Sequence, residues 1–135
     1  HLKIANQRRD FHFKTALRLA REYDVVYLED LNIKAMQRLW GKKISDLGHG
    51  NFVNVLKHQC NKHGSLVFEI DRFYPSSKTC SACGSIKKDL SLRERSWTCG
   101  DCGANHDRDF NAAVNILRVG ASALAGGVVS PANAG

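Results

Sequence analysis

Four cysteines, Cys80, Cys83, Cys99 and Cys102, follow the spacing C-x2-C-x15-C-x2-C, and each pair runs directly into glycine, in "CSACG" and "CGDCG". Two residues between cysteines let both thiolates of a tight turn converge on one ion. A glycine just beyond supplies the positive φ that turns backbone amides toward sulfur. Two such knuckles predict a tetrahedral four-thiolate zinc site, structural because cysteine fills every position and none is left for water. The competing chemistry is a pair of disulfides or redox dithiols. The doubled spacing and the lack of a visible secretory signal weigh against it.

A second group of residues is acidic. Glu29 ends the run "VVYLE", and two-residue alternation puts it on the side of Val25 and Tyr27, in a strand whose neighbours favour a dry environment. An ionised carboxylate there is costly unless a cation or donor meets it, or unless Glu29 lies just past the sheet edge in solvent. Asp30 alternates to the other side and suits a helix cap. Asp107 and Asp109 open the last helix, where the helix dipole favours negative charge. One cap suffices, so Asp107 takes that role. Asp109 then remains in the first turn, on the side carrying Ala112, Ala113 and Ile116, whose small alanines let the helix sit close to a sheet. Two carboxylates gathered at a strand end and a helix start repel, and divalent metal is the usual remedy. A Mg2+ pair held in this way is a standard device for hydrolysing phosphodiesters.

These residues need elements to position them. Phe13, Ala16, Leu17 and Ala20 recur at helical spacing within a helix from about 6 to 23. Val25 to Leu28 form a short β-branched and aromatic strand. A short helix is expected over 33–40, then glycines, then a helix from about 51 to 62 with Phe52, Val55, Leu56 and Gln59 on one side and His63-Gly64 at its end. "SLVFEI", residues 65–70, is the second strand. Periodicity then vanishes until Asp107, a gap of more than 30 residues, too long for a structureless loop in a compact domain. Metal must fold it. The last helix spans about 107–119, with Phe110, Ala113, Val114 and Leu117 as its apolar stripe, and "GASALAGGVVSPANAG" reads as a disordered tail. Cys60 is expected to be a buried thiol beside the capping His63. His106, next to the ribbon, is a candidate spare ligand or phosphate contact but is expected to be a surface residue.

Composition narrows the setting. Hydrophobic residues are 43% and charged residues 24% of 135, which is globular. No apolar run approaches the roughly 18 residues that cross a bilayer. A chain that starts at His1 and has Met36 as its only methionine reads as a piece of a longer one. Twenty Lys and Arg against 13 Asp and Glu give a formal +7, which attracts polyanions and points to nucleic acid. Arg72, Lys78, Lys87, Lys88, Arg93 and Arg95 crowd around the cysteines. Four thiolates and one divalent ion leave about +5, so that attraction survives zinc.

At this point "YLEDLN", "KKISDLGHGNF", "FYPSSKTCSACG" and "LSLRERSWTCGDCGANHDRDFNAAVNI" resemble the C-terminal half of the OrfB or TnpB proteins of bacterial insertion sequences, relatives of the type V CRISPR nucleases. The resemblance covers residues 1 to 119. It implies an α/β fold: a partial RNase H-like (RuvC-like) layer from residues 1–72 and 106–119, a zinc ribbon over 73–105, and a tail over 120–135. It also implies RNA-guided DNA cleavage by three carboxylates and Mg2+, with DNA and a guide RNA as partners, in the prokaryotic cytoplasm at the nucleoid. Glu29 matches the family's second catalytic carboxylate, Asp109 the third, and Cys80, Cys83, Cys99 and Cys102 the zinc ligands. The ribbon's Arg72, Arg93 and Arg95 and its "SSK" segment, Ser76, Ser77 and Lys78, are expected to grip nucleic-acid backbone. The first catalytic aspartate, in G-[IV]-D-x-G, has no counterpart here. Asp71 is a poor substitute, so the chain alone is expected to be inactive. The alternative is a noncatalytic zinc-ribbon DNA-binding accessory or a decayed remnant.

Overall fold

The structure, a computed structural model, describes residues 1–31, 48–127 and 130–133. The expected helix over 33–40 lies outside the described residues. The chain divides into two compact units, His1–Glu69 with Val129–Gly135, and Ile70–Val128.

The first unit is built on α1 (Leu2–Glu22), β1 (Val25–Glu29), α2 (His49–His63) and all but the last residue of β2 (Leu66–Ile70). The α1 stripe is rotated from the expected one. His12, Ala16 and Ala20 are buried and Leu19 packs beside them, whereas Phe13 is 45% exposed. The spacing is still helical, but alanines at the crossing let α2 approach closely, and the larger Phe13 is left outside. On α2 the expected side is the buried one: Leu56, Gln59 and Cys60 are covered, with Phe52 and Val55 against them. Cys60 is fully buried, and burial pushes its thiol pKa up. Gly48 caps α2 at a φ of 62°, and a Cβ there would come within 3.0 Å of His12 Cε1. His12 also packs its ring on Phe52, with centroids 5.4 Å apart.

β1 and β2 are hydrogen-bonded neighbours, and Val26, Leu28 and Val67 join the core of Ala16, Ala20, Leu56 and Cys60. Ser65 ties the strands to the helices. Its Oγ lies 2.7 Å from the Ala20 carbonyl and 2.8 Å from that of Tyr23, serving carbonyls that the end of α1 leaves unpaired.

The expected disordered tail is corrected at both ends. The last helix, α3 (Arg108–Ala125), runs past residue 119 because Ala121, Ser122, Ala123, Leu124 and Ala125 continue it without a breaker. Further on, the Ala132 amide donates to the Val67 carbonyl at 2.6 Å, and Asn133 Oδ1 accepts from the Val67 amide at 2.9 Å. Asn133 Nδ2 then donates to the Ser65 carbonyl at 2.9 Å, so this short stretch satisfies backbone groups beside β2.

The second unit holds β3 (Ser96–Thr98), β4 (Asn105–Asp107) and α3. The two strands pair antiparallel, with Trp97 opposite His106. Its core is small: Cys80, Leu90, Trp97 and Cys99, with Ala104 against them. The last helix, expected with the α/β layer, clusters with the ribbon instead. Its expected apolar stripe is also corrected. Phe110 is 72% and Leu117 58% exposed, while Asn111 and Asn115 are buried. The helix docks onto loop backbone, where open N–H and C=O groups favour amide side chains over methyls. Among the described residues no helix is long and apolar enough to cross a membrane.

Candidate metal centre

The two knuckles fold by one repeated pattern. Cys80 N donates to the Ser85 carbonyl at 2.8 Å and Gly84 N to the Cys80 carbonyl at 2.8 Å; Cys99 N donates to Ala104 O and Gly103 N to Cys99 O, each at 2.9 Å. Gly84 and Gly103 close the turns at φ of 83° and 76°, as the sequence requires. A bridge between Thr79 and Ile86 zips the base of the first knuckle, and β3 with β4 closes the second.

These turns bring all four sulfurs together. The ligand atoms of Cys80, Cys83, Cys99 and Cys102 lie within 4.8 Å of one another. Cys80 Sγ is 3.7 Å from Cys102 Sγ, and Cys83 Sγ is 3.7 Å from Cys99 Sγ. A Zn–S bond of about 2.3 Å in a tetrahedron separates sulfurs by about 3.8 Å, so the donor set and its spacing fit a four-thiolate zinc ion. All five cysteines are free thiols, including the buried Cys60.

The surroundings favour thiolates. Ser85 Oγ sits 3.1 Å from Cys83 Sγ and 3.2 Å from Cys99 Sγ. Its hydroxyl, followed by its own amide, lowers the Cys83 pKa. At Cys99 the Ser85 hydroxyl acts first, then the amides of Cys102 and Asp101, and the thiol falls to about 6. At Cys102 the Ala104 amide pulls down, but desolvation and the thiols of Cys83, Cys80 and Cys99 outweigh it, and the pKa rises to about 12. One cluster thus presents a ready thiolate and a thiol that a cation must deprotonate.

His106 is half-buried, not the surface residue expected. Its Nε2 lies 3.0 Å from Cys80 Sγ, and its ring packs on Trp97 at 4.7 Å between centroids. Against a thiolate this nitrogen is the donor. Ser85 had no signature beyond lying two residues past Cys83, whereas His106, four past Cys102, was marked as a candidate spare ligand only by its place next to the ribbon.

The carboxylates divide between the units. Glu29 ends β1, half-buried, in a cleft shared with Asp30, His49, Asn54, Lys57 and Glu69. Lys57 Nζ pairs with Glu69 Oε1 at 3.1 Å at its side. In the second unit Asp107 is the N-cap of α3, its Oδ1 accepting from Phe110 N at 2.9 Å. Asp109 is left to the first turn, highly exposed, 3.9 Å from the Arg95 guanidinium. Ala113, expected to abut a sheet, is exposed, and Ala112 and Ile116 are half-buried. Asp71 closes a turn through an Oδ1 contact from Phe73 N at 2.8 Å.

Among the expected backbone-gripping residues, Arg72, Arg93 and Arg95 are exposed and Ser77 and Lys78 half-buried. Ser76 is corrected: it is 3% exposed beneath Asn115, which donates to its carbonyl, and so is turned away from any ligand at the surface. The loop carrying the arginines is held by Arg108, whose Nη1 donates to Ser91 O at 3.2 Å and Leu92 O at 2.9 Å, and by Glu94, which accepts from Ser91 N at 3.0 Å.

Comparison with known proteins places this geometry. Residues 49–116, half of the chain, match the family model described as Cas12f1-like, TNB domain. A "Putative RNA-guided DNA endonuclease" of Streptomyces pristinaespiralis is 42% identical over 129 residues, 94% of this chain and 32% of that protein. The "TnpB-like protein L79" of Acanthamoeba polyphaga mimivirus is 34% identical over 128 residues, 89% of this chain and 24% of that protein. The chain therefore spans 24% to 32% of the length of these relatives. A Cas12f1 chain solved by cryo-EM with its sgRNA and target DNA superposes with a TM-score of 0.65 over 84% of this chain and 34% of its own, at 21% identity, a likeness of fold. With the paired knuckles, the four converging sulfurs and the first turns of the helix that follows them inside the matched span, this chain belongs to the Cas12f1-like TNB domain family and has TnpB-type relatives.

Proposed function

We propose that this chain is the C-terminal part of a transposon-encoded, RNA-guided DNA endonuclease. Its first unit belongs to an RNase H-like (RuvC-like) layer, its second is a zinc ribbon, and DNA and a guide RNA are its partners. The observation that carries the reading is the division of labour at the start of α3. Asp107 is committed to the cap, and Asp109, two residues on, keeps its carboxylate exposed next to the ribbon. Supporting it are Glu29 at a strand end beside Asp30 and Glu69 and the names of the relatives.

In this reading Glu29 and Asp109 would each be Mg2+ ligands of the complete protein, and the ion would supply charge neutralisation for phosphodiester hydrolysis. The chain's own residues hold the nucleic acid. Arg72, Arg93 and Arg95, with Ser77 and Lys78, contact phosphates, and Arg108 and Glu94 keep the arginine loop in shape. Zn2+ on Cys80, Cys83, Cys99 and Cys102 is structural. Since the 135 residues hold two of the family's three carboxylates, the chain by itself binds without cutting.

The test is made in a protein that supplies the third carboxylate. Glu29→Gln and Asp109→Asn each abolish Mg2+-dependent DNA cleavage and leave the zinc content unchanged. Cleavage retained in either variant removes the catalytic assignment. Cleavage absent from the unsubstituted protein, with salt-dependent DNA binding intact, selects the noncatalytic zinc-ribbon reading.

A further inference from the structure

The side of α3 that meets the ribbon is polar and aimed at a single ligand. Asn111, 1% exposed, accepts from Ser81 N at 2.9 Å through Oδ1 and donates to Thr79 O at 2.8 Å through Nδ2. Thr79 and Ser81 are the residues on either side of Cys80, so one amide side chain clamps the peptide groups that flank a metal ligand. An amide does both from one planar group with a separate donor and acceptor atom, whereas a carboxylate has no donor and a methyl has neither. Asn115, one turn on, donates to the same Thr79 carbonyl at 2.7 Å and to Ser76 O at 2.9 Å, and Arg118 Nη1 reaches Ser81 O at 2.9 Å. From β4, His106 holds the Cys80 sulfur itself. Cys80 is thus gripped by its backbone from α3 and by its sulfur from the strand that leads into α3.

We propose that Asn111 is a positioning residue of the metal centre, and that ion binding by the four thiolates and docking of α3 are one coupled event. When the ion orders the first knuckle, Thr79 O and Ser81 N are presented in the geometry that Asn111 needs. When α3 is docked, Cys80 is held where the ion needs it. Coupling of this kind is reciprocal: whatever the ion contributes to docking, docking returns to ion affinity. Its consequence for Asp109, which the same helix carries in its first turn, rests on the catalytic reading above; the coupling itself does not.

The experiment uses the 135-residue chain and two readouts, zinc affinity by competition with a chromophoric chelator and hydrogen exchange along α3. In the unsubstituted chain, chelation raises exchange across α3 and leaves α2 of the first unit unchanged. Asn111→Ala weakens zinc by about tenfold or more, the range typical of groups that orient metal ligands, and its α3 exchanges fast even with zinc bound. Arg118→Ala, an exposed position that leaves both asparagines in place, weakens zinc in the same direction by less and carries the test if Asn111→Ala does not fold. Asp109→Asn binds zinc as the unsubstituted chain does, which separates this coupling from the nuclease reading. Wild-type zinc affinity in Arg118→Ala or a folded Asn111→Ala, or equal protection of α3 with and without zinc, overturns the proposal.

Discussion

At the scale of single residues the metal centre depends on who donates to sulfur. One hydroxyl proton serves two thiolates at Ser85, which lies within 3.2 Å of both. Ser85→Ala should therefore weaken zinc about 10–100-fold with all four ligands present, and a chelator competition measures it. The pH dependence follows from the shifted thiols. Protons compete with the ion for sulfur, so affinity falls as pH drops through about 6, where Cys99 regains its proton. Cys102, held near 12 without metal, must give up a proton at neutral pH, so binding releases acid and tightens as pH rises. An unbuffered titration that shows no proton release contradicts this. The four ligands and their glycines were legible in the sequence because a knuckle is local: its geometry is set by five consecutive residues. Ser85 and His106 were not, since their roles depend on the fold that brings them to the sulfurs of other residues.

At the scale of elements, patterning found the helices more reliably than it found their faces. On α1 the repeat was right and the stripe was turned, because Ala16 and Ala20 mark a close crossing that hydrophobicity alone ranks below Phe13. On α3 the apolar stripe was the wrong side altogether, since its partner in the second unit is loop backbone. Asparagines at i and i+4 with arginine at i+7 are a readable signal for that kind of docking. The cores give separable predictions. Leu56, fully buried in the first unit, should cost about 2–5 kcal/mol when changed to Ala, with zinc affinity unmoved because the ribbon has its own core. Denaturant unfolding read by far-UV dichroism, beside a zinc titration, checks both halves. Asp107→Ala should cost about 1 kcal/mol by removing the α3 cap, visible as faster exchange at Phe110.

At the scale of the molecule the formal charge of +7 attracts polyanions, and the proposed function assigns their contacts to Arg72, Arg93 and Arg95. Binding of DNA by the zinc-loaded chain should weaken linearly in log affinity against log salt, and Arg93→Ala or Arg95→Ala should each lower that slope by about one. A slope unchanged in both variants places the contact elsewhere. Arg95 also neighbours Asp109, but that pair is exposed and contributes little to stability, so the substitution reports on ligand and not on folding.

By itself the sequence determined the four-thiolate site, the two strands, the α2 face and the cap at Asp107, since each is decided by neighbours within a turn or two. Tertiary structure alone decided that α3 belongs with the ribbon, that Ser76 is buried under Asn115, that His106 serves Cys80, and that Asn133 pairs beside β2. Each of these satisfies a backbone group or a sulfur with a donor or acceptor from at least 26 positions away. No local pattern encodes which polar group a distant loop will leave open.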